Sequence, residues 1–439
     1  MEKVNYLKAV RDQYEAYPYP PRNPEDERSR LENSWHDFLE VINFYCFKGK
    51  NTFSQEYRVL VAGGGTGDQT IFLAEQLRPN RRAEVVHLDI SSNCIGIAKR
   101  RAEVRKLPNI TWMHGSVLDL PSLQVGQFDY INCVGVLHHL EDPTAGLKAL
   151  GAVLKEDGAM SLMLYGKYGR TGVYLMQELM RRINLTEPDL QAKIANTKAV
   201  LDSLPKTNWF KRGEDIIGDH REFGDAGIAD MLLHAQDRPF TVEELYDLVE
   251  GCNLHVVELI ERGRSKYKVE WYIRDKRMLE KISALPRKQQ QAIAELIAGD
   301  MIVHNFYVAR KTDTVATLDD LRNVPFYFLD PPRNILDLID RSPGQRIRVD
   351  TTLYAAPVEF VPGPYTRDIF TYLDGERSLK EIFEQVRRDH GLSEQQLPNE
   401  ALLKEFRPVY ERFNDLGWMR LRHRSVGKFR SLEELQRSV

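Results

Sequence analysis

Tyr57-Arg58-Val59-Leu60-Val61-Ala62-Gly63-Gly64-Gly65-Thr66-Gly67 is an apolar run that ends in a cluster of glycines. The run has the length and composition of a buried strand. Gly63, Gly65 and Gly67 fit the spacing G-x-G-x-G. Glycines at a strand end let the backbone approach a ligand where any Cβ would clash. The helix expected next offers unpaired N–H groups to a polar or anionic group. A second apolar run, 84–89, ends in a carboxylate, Asp89, 22 residues after Gly67. That distance matches the ~20 residues expected between a glycine loop and the acid that accepts bonds from ribose hydroxyls. The competing reading of Asp89 is an N-cap for a helix over 90–105.

Working outward, strand-like runs at 58–62, 84–89, 110–113, 128–134 and 159–165 alternate with helical stretches near 69–78, 91–107, 118–123 and 142–155. Such alternation predicts a parallel sheet with right-handed crossovers, covered on both faces. The rhythm breaks over 166–240, where one helix is expected at 171–184. It resumes with the N-cap Thr241, a strand at 254–260, an excursion at 261–299 and a strand at 301–309. Residues 1–312 therefore read as one Rossmann-like α/β domain with a seven-stranded sheet and insertions at 166–240 and 261–299. Ahead of the sheet come a helix at 3–16, a proline-rich strap at 17–24 and a helix at 25–46, the last with Leu31, Trp35, Phe38, Leu39 and Ile42 on one face. Residues 313–345, with Pro325, Pro331, Pro332 and Pro343, read as a linker. Residues 346–424 read as a separate winged-helix-like α+β module, with a capping box at Ser378 and Glu381, a helix at 398–416 and a strand at 418–421. Residues 425–439 read as a basic tail. Arg420, Arg422, His423, Arg424, Lys428 and Arg430 are taken as a solvated terminal strand and tail.

The 439 residues carry a net charge of -3, which gives no global drive toward nucleic acid or an acidic membrane surface. The four cysteines, Cys46, Cys94, Cys133 and Cys252, are too far apart in sequence for a zinc pair, so no metal is expected. Sparse cysteine fits a reducing, cytoplasmic location. No apolar run approaches the ~20 residues of a membrane span.

The loop after the third strand, Gly115-Ser116-Val117, sits where an adenine edge is expected. The fourth strand leads through Cys133-Val134-Gly135-Val136-Leu137-His138-His139-Leu140 to the mouth of the crevice beyond the strand ends. The ordered set VLVAGGGTGDQT (59–70), VVHLDIS (85–91), HGSVLDLP (114–121), FDYINCVGVLHHLEDP (128–143) and LKEDGAMSLMLY (154–165) resembles class I S-adenosylmethionine-dependent methyltransferases. The resemblance implies S-adenosylmethionine as cofactor and S-adenosylhomocysteine as product. It implies that Gly63, Gly65 and Gly67 line the methionine and ribose end and that Asp89 holds the ribose. Ser116 and Val117 flank adenine, and Ile90 and Val134 also belong to the cofactor site. It implies too that the strand at 301–309 is antiparallel and inserted between neighbours. Many members have an acid where this chain has Val61, so the methionine ammonium needs another partner, for which Asp68 is the candidate. The family's asparagine–proline–proline–aromatic signature is missing, which speaks against adenine N6 methylation. YEAYPYPP (14–21), with the long middle region and the tail, is similar to bacterial methyltransferases of the protein-lysine type. That likeness implies that Tyr14, Tyr17 or Tyr19 closes over the cofactor, where an aromatic face suits a sulfonium. The other reading is a strap packed on the core.

Methyl transfer needs a base only if the acceptor holds a proton. His138 and His139 are candidates by position, against a capping or packing role. Tyr165 and His234 are further pocket candidates, with Asp237 and Arg238. The acceptor expected is a peptide or protein side chain, because the C-terminal module offers a second contact surface; a small metabolite is the alternative. A homodimer fits the sequence as well as a monomer. A nicotinamide oxidoreductase would need glycine at 68, where the chain has Asp68. A cofactor-binding scaffold without turnover is the third reading.

Overall fold

Along the first strand, β1 (Tyr57–Ala62), side chains alternate between two apolar layers: Val59 and Val61 enter one, Leu60 and Ala62 the other. A strand buried on both faces belongs at the centre of a sheet. The computed structural model describes residues 6–261, 266–328, 335–342, 344–349 and 358–437. The start of the expected first helix at 3–5, and Pro331, Pro332 and Pro343 of the expected linker, lie outside them.

β1 is joined in parallel by β2 (Ala83–Asp89), β3 (Ile110–His114), β4 (Phe128–Val134) and β5 (Leu154–Tyr165). β6 (His255–Ile260) and β7 (Val303–Ala309) complete seven strands in the order β3-β2-β1-β4-β5-β7-β6. β7 is antiparallel to both β5 and β6, as the resemblance implied. The order reverses between β1 and β4, which opens a crevice at the strand C-termini.

α1 (Tyr6–Ala16) precedes the proline-rich strap. The single helix expected at 25–46 is instead two 3-10 turns, Pro24–Arg28 and Trp35–Asp37, and then α2 (Leu39–Cys46). It breaks because its halves serve different neighbours. Glu27 and Leu31 turn toward α3 (Asp68–Leu77) and α4 (Ser92–Arg105), while α2 turns toward the sheet. α5 (Pro143–Ala152) covers the other face.

The stretch 166–240 holds five helices where one was expected: α6 (Thr171–Ile183), α7 (Leu190–Ser203), α8 (Trp209–Gly213), α9 (Asp219–Glu222) and α10 (Gly224–Leu232). They have their own apolar cluster, built on Val173, Met176, Met180, Phe210 and Met231. α11 (Val242–Glu250) opens with a Thr241–Glu244 capping box. The excursion 261–299 supplies α12 (Lys276–Ser283) and α13 (Arg287–Ala298).

The expected linker carries β8 (Asn323–Tyr327) and α14 (Ile335–Arg341). Beyond it lie β9 (Ile347–Val349), β10 (Val358–Phe360), α15 (Thr366–Thr371), α16 (Leu379–Asp389), α17 (Asn399–Asp415), β11 (Met419–His423) and α18 (Leu432–Gln436). β8 pairs antiparallel with β11, and β9 with β10. Apart from α18, whose Leu435 packs with Leu31 and Phe72, these elements share one apolar cluster with α2 and the sheet. The cause is α2 itself, whose residues are buried at all positions but Glu40. A helix apolar on every side needs cover on every side. Arg420 and Arg422, expected in solvent, are correspondingly buried. The Arg420 guanidinium lies 5.3 Å from the Phe44 ring and donates to the carbonyls of Asn414 and Met419. No helix among the described residues is long and apolar enough to cross a membrane.

Candidate functional site

At the C-terminal ends of β1, β2, β4 and β5 lies a cavity of about 420 Å³, a volume suited to a cofactor-sized ligand. Its floor is Gly63, Gly64 and Gly65. Asp89 and Ile90 come from the end of β2, Ser116 and Val117 from the loop after β3, Val134 and His139 from beyond β4, and Tyr165 from β5. Tyr14 of α1, Tyr19, Pro20 and Arg22 of the strap and Ile217, Asp219, Phe223 and Asp230 of the 166–240 cap close the outer side.

The floor is glycine for geometric reasons. Gly63 and Gly65 have φ of +71° and +54°. A Cβ on Gly65 would stand 2.8 Å from the Tyr19 carbonyl oxygen, because the strap crosses directly over the loop. Thr66 Oγ1 donates to the Pro20 carbonyl at 2.7 Å and fastens the crossing. Gly65→Ala is expected to lower stability by ~1–3 kcal/mol through a strained left-handed residue and a backbone clash. Gly224→Ala is the control, since Gly224 has the same φ of +54° and open space around it. Equal denaturant midpoints for the two variants would count against the crossing. Gly67 does not line the cavity: its φ is +103° and a Cβ there would meet Ala98 at 2.8 Å, so it lets α3 pack on α4.

Asp89 is buried, and its two oxygens accept from the amides of Gly65 at 2.7 Å and Ser91 at 2.8 Å. Burial raises its carboxyl above the usual range, opposed by those two bonds. The carboxylate thus fixes the loop's shape while keeping lone pairs for the cavity. Ser91 is the side-chain N-cap of α4, the part once open to Asp89. The Ser116 hydroxyl caps the short turn that follows, in a capping box with Asp119.

Asp68 is not an anion waiting for an ammonium. Arg22 holds it through Nε at 3.0 Å and Nη2 at 2.7 Å, and Arg101 Nη1 reaches it at 2.6 Å. Arg101 also donates to Glu27 at 2.6 Å, and Arg105 bonds the other Glu27 oxygen. Glu27, Arg101 and Arg105 are all at most 2% exposed. This chain of alternating charges ties the strap to α3 and α4.

At the inner end, Tyr14 donates to Asp230 Oδ1 at 2.9 Å and lies 3.2 Å from His234 Nε2. His234 Nδ1 accepts from the Gln236 amide, so its Nε2 carries the proton and donates to Tyr14. His139 Nδ1 lies 2.8 Å from the Gln236 carbonyl and must donate, which leaves the Nε2 lone pair free. Burial depresses the His234 imidazole and raises the Asp230 carboxyl and the Tyr14 phenol. Donor atoms of His139, Asp230 and His234 lie within 4.8 Å of one another, the spacing of a metal triad. The two imidazoles stack at 3.7 Å and 22°, however, so no single ion lies in both ring planes, and Tyr14 already bridges two of the three. The cluster is a hydrogen-bond relay. His138 faces Tyr165 at 3.8 Å, off the cavity wall. Tyr17 turns away to bond Gln191 of α7. Arg22, Arg170, Asp219 and Asp230 have no role in the sequence reading, although Arg22 lies within the proline-rich strap, directly after Pro21.

A family model described as a methyltransferase domain matches residues 60–160. The uncharacterized protein syc1184_c of Synechococcus sp. is 30% identical over 306 residues, 69% of this chain and 71% of that protein. The tRNA 5-carboxymethoxyuridine methyltransferase of Escherichia coli K12 is 35% identical over 116 residues, 26% of this chain and 42% of that enzyme. Among solved structures, PKMT2 from Rickettsia typhi in complex with AdoHcy covers 92% of this chain and 77% of its own, with a TM-score of 0.63 at 16% identity, a likeness of fold.

Proposed function

Since the chain belongs to the class I S-adenosylmethionine-dependent methyltransferases, we propose that it methylates a small acceptor seated beneath the 166–240 cap. S-adenosylmethionine brings the methyl group on a sulfonium; the protein's part is binding, alignment and exclusion of water. The residues present suit that cofactor. A Cβ on Gly63 or Gly65 would fill the cradle, and Asp89 turns a two-amide-held carboxylate to the cavity. In this reading Asp89 accepts from the ribose hydroxyls. Ser116 and Val117 border adenine, Ile90 and Val134 add apolar walls, and Tyr14 and Tyr19 face the methyl end. For an acceptor that carries a proton, His139 Nε2 is the base, with its tautomer set by Gln236.

The observation behind a small acceptor is enclosure. Strap and cap cover the outer side, and among the described residues none after Val303 lines the cavity. The described residues of the C-terminal module, which suggested a macromolecular acceptor in the sequence, contribute nothing there. A peptide or protein side chain remains the second reading, because the cap exposes the large apolar side chains of Leu175, Ile183, Leu185 and Trp209, a residue type used to dock partners. The test incubates the full chain and cell lysate with methyl-labelled cofactor, then separates products by size. Label in small molecules is expected. Label only in macromolecules supports the second reading, and AdoHcy binding without any labelled product overturns turnover altogether.

A further inference from the structure

Arg170 lies at the inner end of the cavity, at the N-cap of α6, and is 3% exposed. Its guanidinium carbon stands 3.6 Å over the ring of Tyr165. Nε and Nη2 have no hydrogen-bond partner. Asp230 bonds Tyr14 and lies 3.5 Å from the Tyr165 hydroxyl, and Asp237 bonds Gln177 through Oδ2, while Asp237 Oδ1 and the Tyr174 hydroxyl close by are without hydrogen bonds of their own.

Other buried arginines here also leave nitrogens unfilled, Arg105 both Nη and Arg420 its Nε, but each holds at least one firm acceptor. Arg101 and Arg105 share Glu27, and Arg420 has two carbonyls. Arg22, half-buried at the same cavity, uses its Nε and Nη2 to grip Asp68 with both oxygens. Those are the same two nitrogens that Arg170 leaves unfilled. Asp230 and Asp237 lie near enough to favour the charge, but buried donors left without hydrogen bonds cost about 1–3 kcal/mol each, so two of them on an arginine at a ligand cavity point to a ligand that completes it. The planar fork of a guanidinium matches a carboxylate with two parallel bonds.

We infer that Arg170 binds a carboxylate of the methyl acceptor, so that the acceptor is an organic acid lying along the Tyr165 ring. This rests on the methyl-transfer reading above and narrows it to a substrate class. The carboxylate anchors the acceptor; His139 lines the same cavity.

The experiment titrates the full chain, saturated with AdoHcy, with benzoate, benzamide and inorganic phosphate by calorimetry, in wild type, Arg170→Met and Arg170→Lys. Charge-assisted bonds of ~1.5–3 kcal/mol correspond to a preference of about 10- to 150-fold for benzoate over benzamide. Arg170→Met is expected to erase that preference, and Arg170→Lys to keep only part of it, having the charge without the fork. Equal binding of acid and amide, binding of neither, a preference that survives Arg170→Met, or tighter Arg170-dependent binding of phosphate each overturns the inference. AdoHcy affinity is measured first in every variant. Wild type that fails to bind AdoHcy counts against the methyltransferase site instead. A loss of AdoHcy binding confined to Arg170→Met would assign the arginine to the cofactor's own carboxylate and overturn the acceptor role.

Discussion

Asp89→Ala is expected to weaken AdoHcy binding by about a hundredfold or more, with the fold intact by circular dichroism. Two effects add. The ribose hydroxyls lose an ionised acceptor, and each such bond is worth ~1.5–3 kcal/mol. The Gly65 and Ser91 amides lose the carboxylate that orients them, held at 2.7 and 2.8 Å, so the glycine loop loses its fixed shape. Asp89→Asn separates the two. It keeps the bulk and one carbonyl oxygen, but turns an NH2 group toward one of the donors, so its affinity should fall between wild type and alanine. Calorimetry with AdoHcy reads both variants. An alanine variant that binds AdoHcy as tightly as wild type would remove Asp89 from the site.

The largest loss of stability is expected from Glu27→Ala. Arg101 and Arg105 are each 1% exposed and both bond the Glu27 carboxylate. Removing one member of a buried ionic group leaves charge without its counterpart, which costs ~3–5 kcal/mol. For 439 residues unfolding together, at ~2.1 cal/mol/K of unfolding entropy per residue, that is a fall in melting midpoint of roughly 3–5 °C. Arg101 also donates to the Thr66 carbonyl at 2.8 Å and to Asp68, so the damage should travel to the loop and weaken AdoHcy binding as well. Glu27→Gln, which keeps an acceptor but not the charge, should recover part of the midpoint. A wild-type melting curve for the alanine variant would mean that the network contributes nothing.

The features legible in the sequence were those whose physics is local. A glycine run ending an apolar strand, and an acid ending the next, can serve few purposes whatever surrounds them, and Gly63, Gly65 and Asp89 all reach the cavity. Gly67 shows the limit of a spacing pattern. The same φ > 0 requirement serves helix packing as readily as ligand contact, and only the closeness of Ala98 tells them apart. The inner end was illegible because it is assembled from distant pieces. Tyr14 and Asp230 are 216 residues apart and meet only once the cap has folded over the strap. Asp68 does line the cavity, but its pairing was illegible because its partners, Arg22 and Arg101, come from opposite sides in sequence. The buried Arg420 was misread because charge predicts exposure on average, and nothing near it in sequence announces the aromatic rings of α2.

The place of β7 has a consequence for how the chain matures. β5 needs β7 along its far side, and among the described residues β6 pairs with β7 alone. Residues 166–302 leave the ribosome between the end of β5 and the start of β7. Throughout that interval β5 presents an open row of backbone donors and acceptors, the feature that invites pairing with foreign strands. The cap helices, with an apolar cluster of their own, can form while the central strands still wait. The last strand of the sheet to be translated is thus the one that seals it, slipping between two neighbours already made.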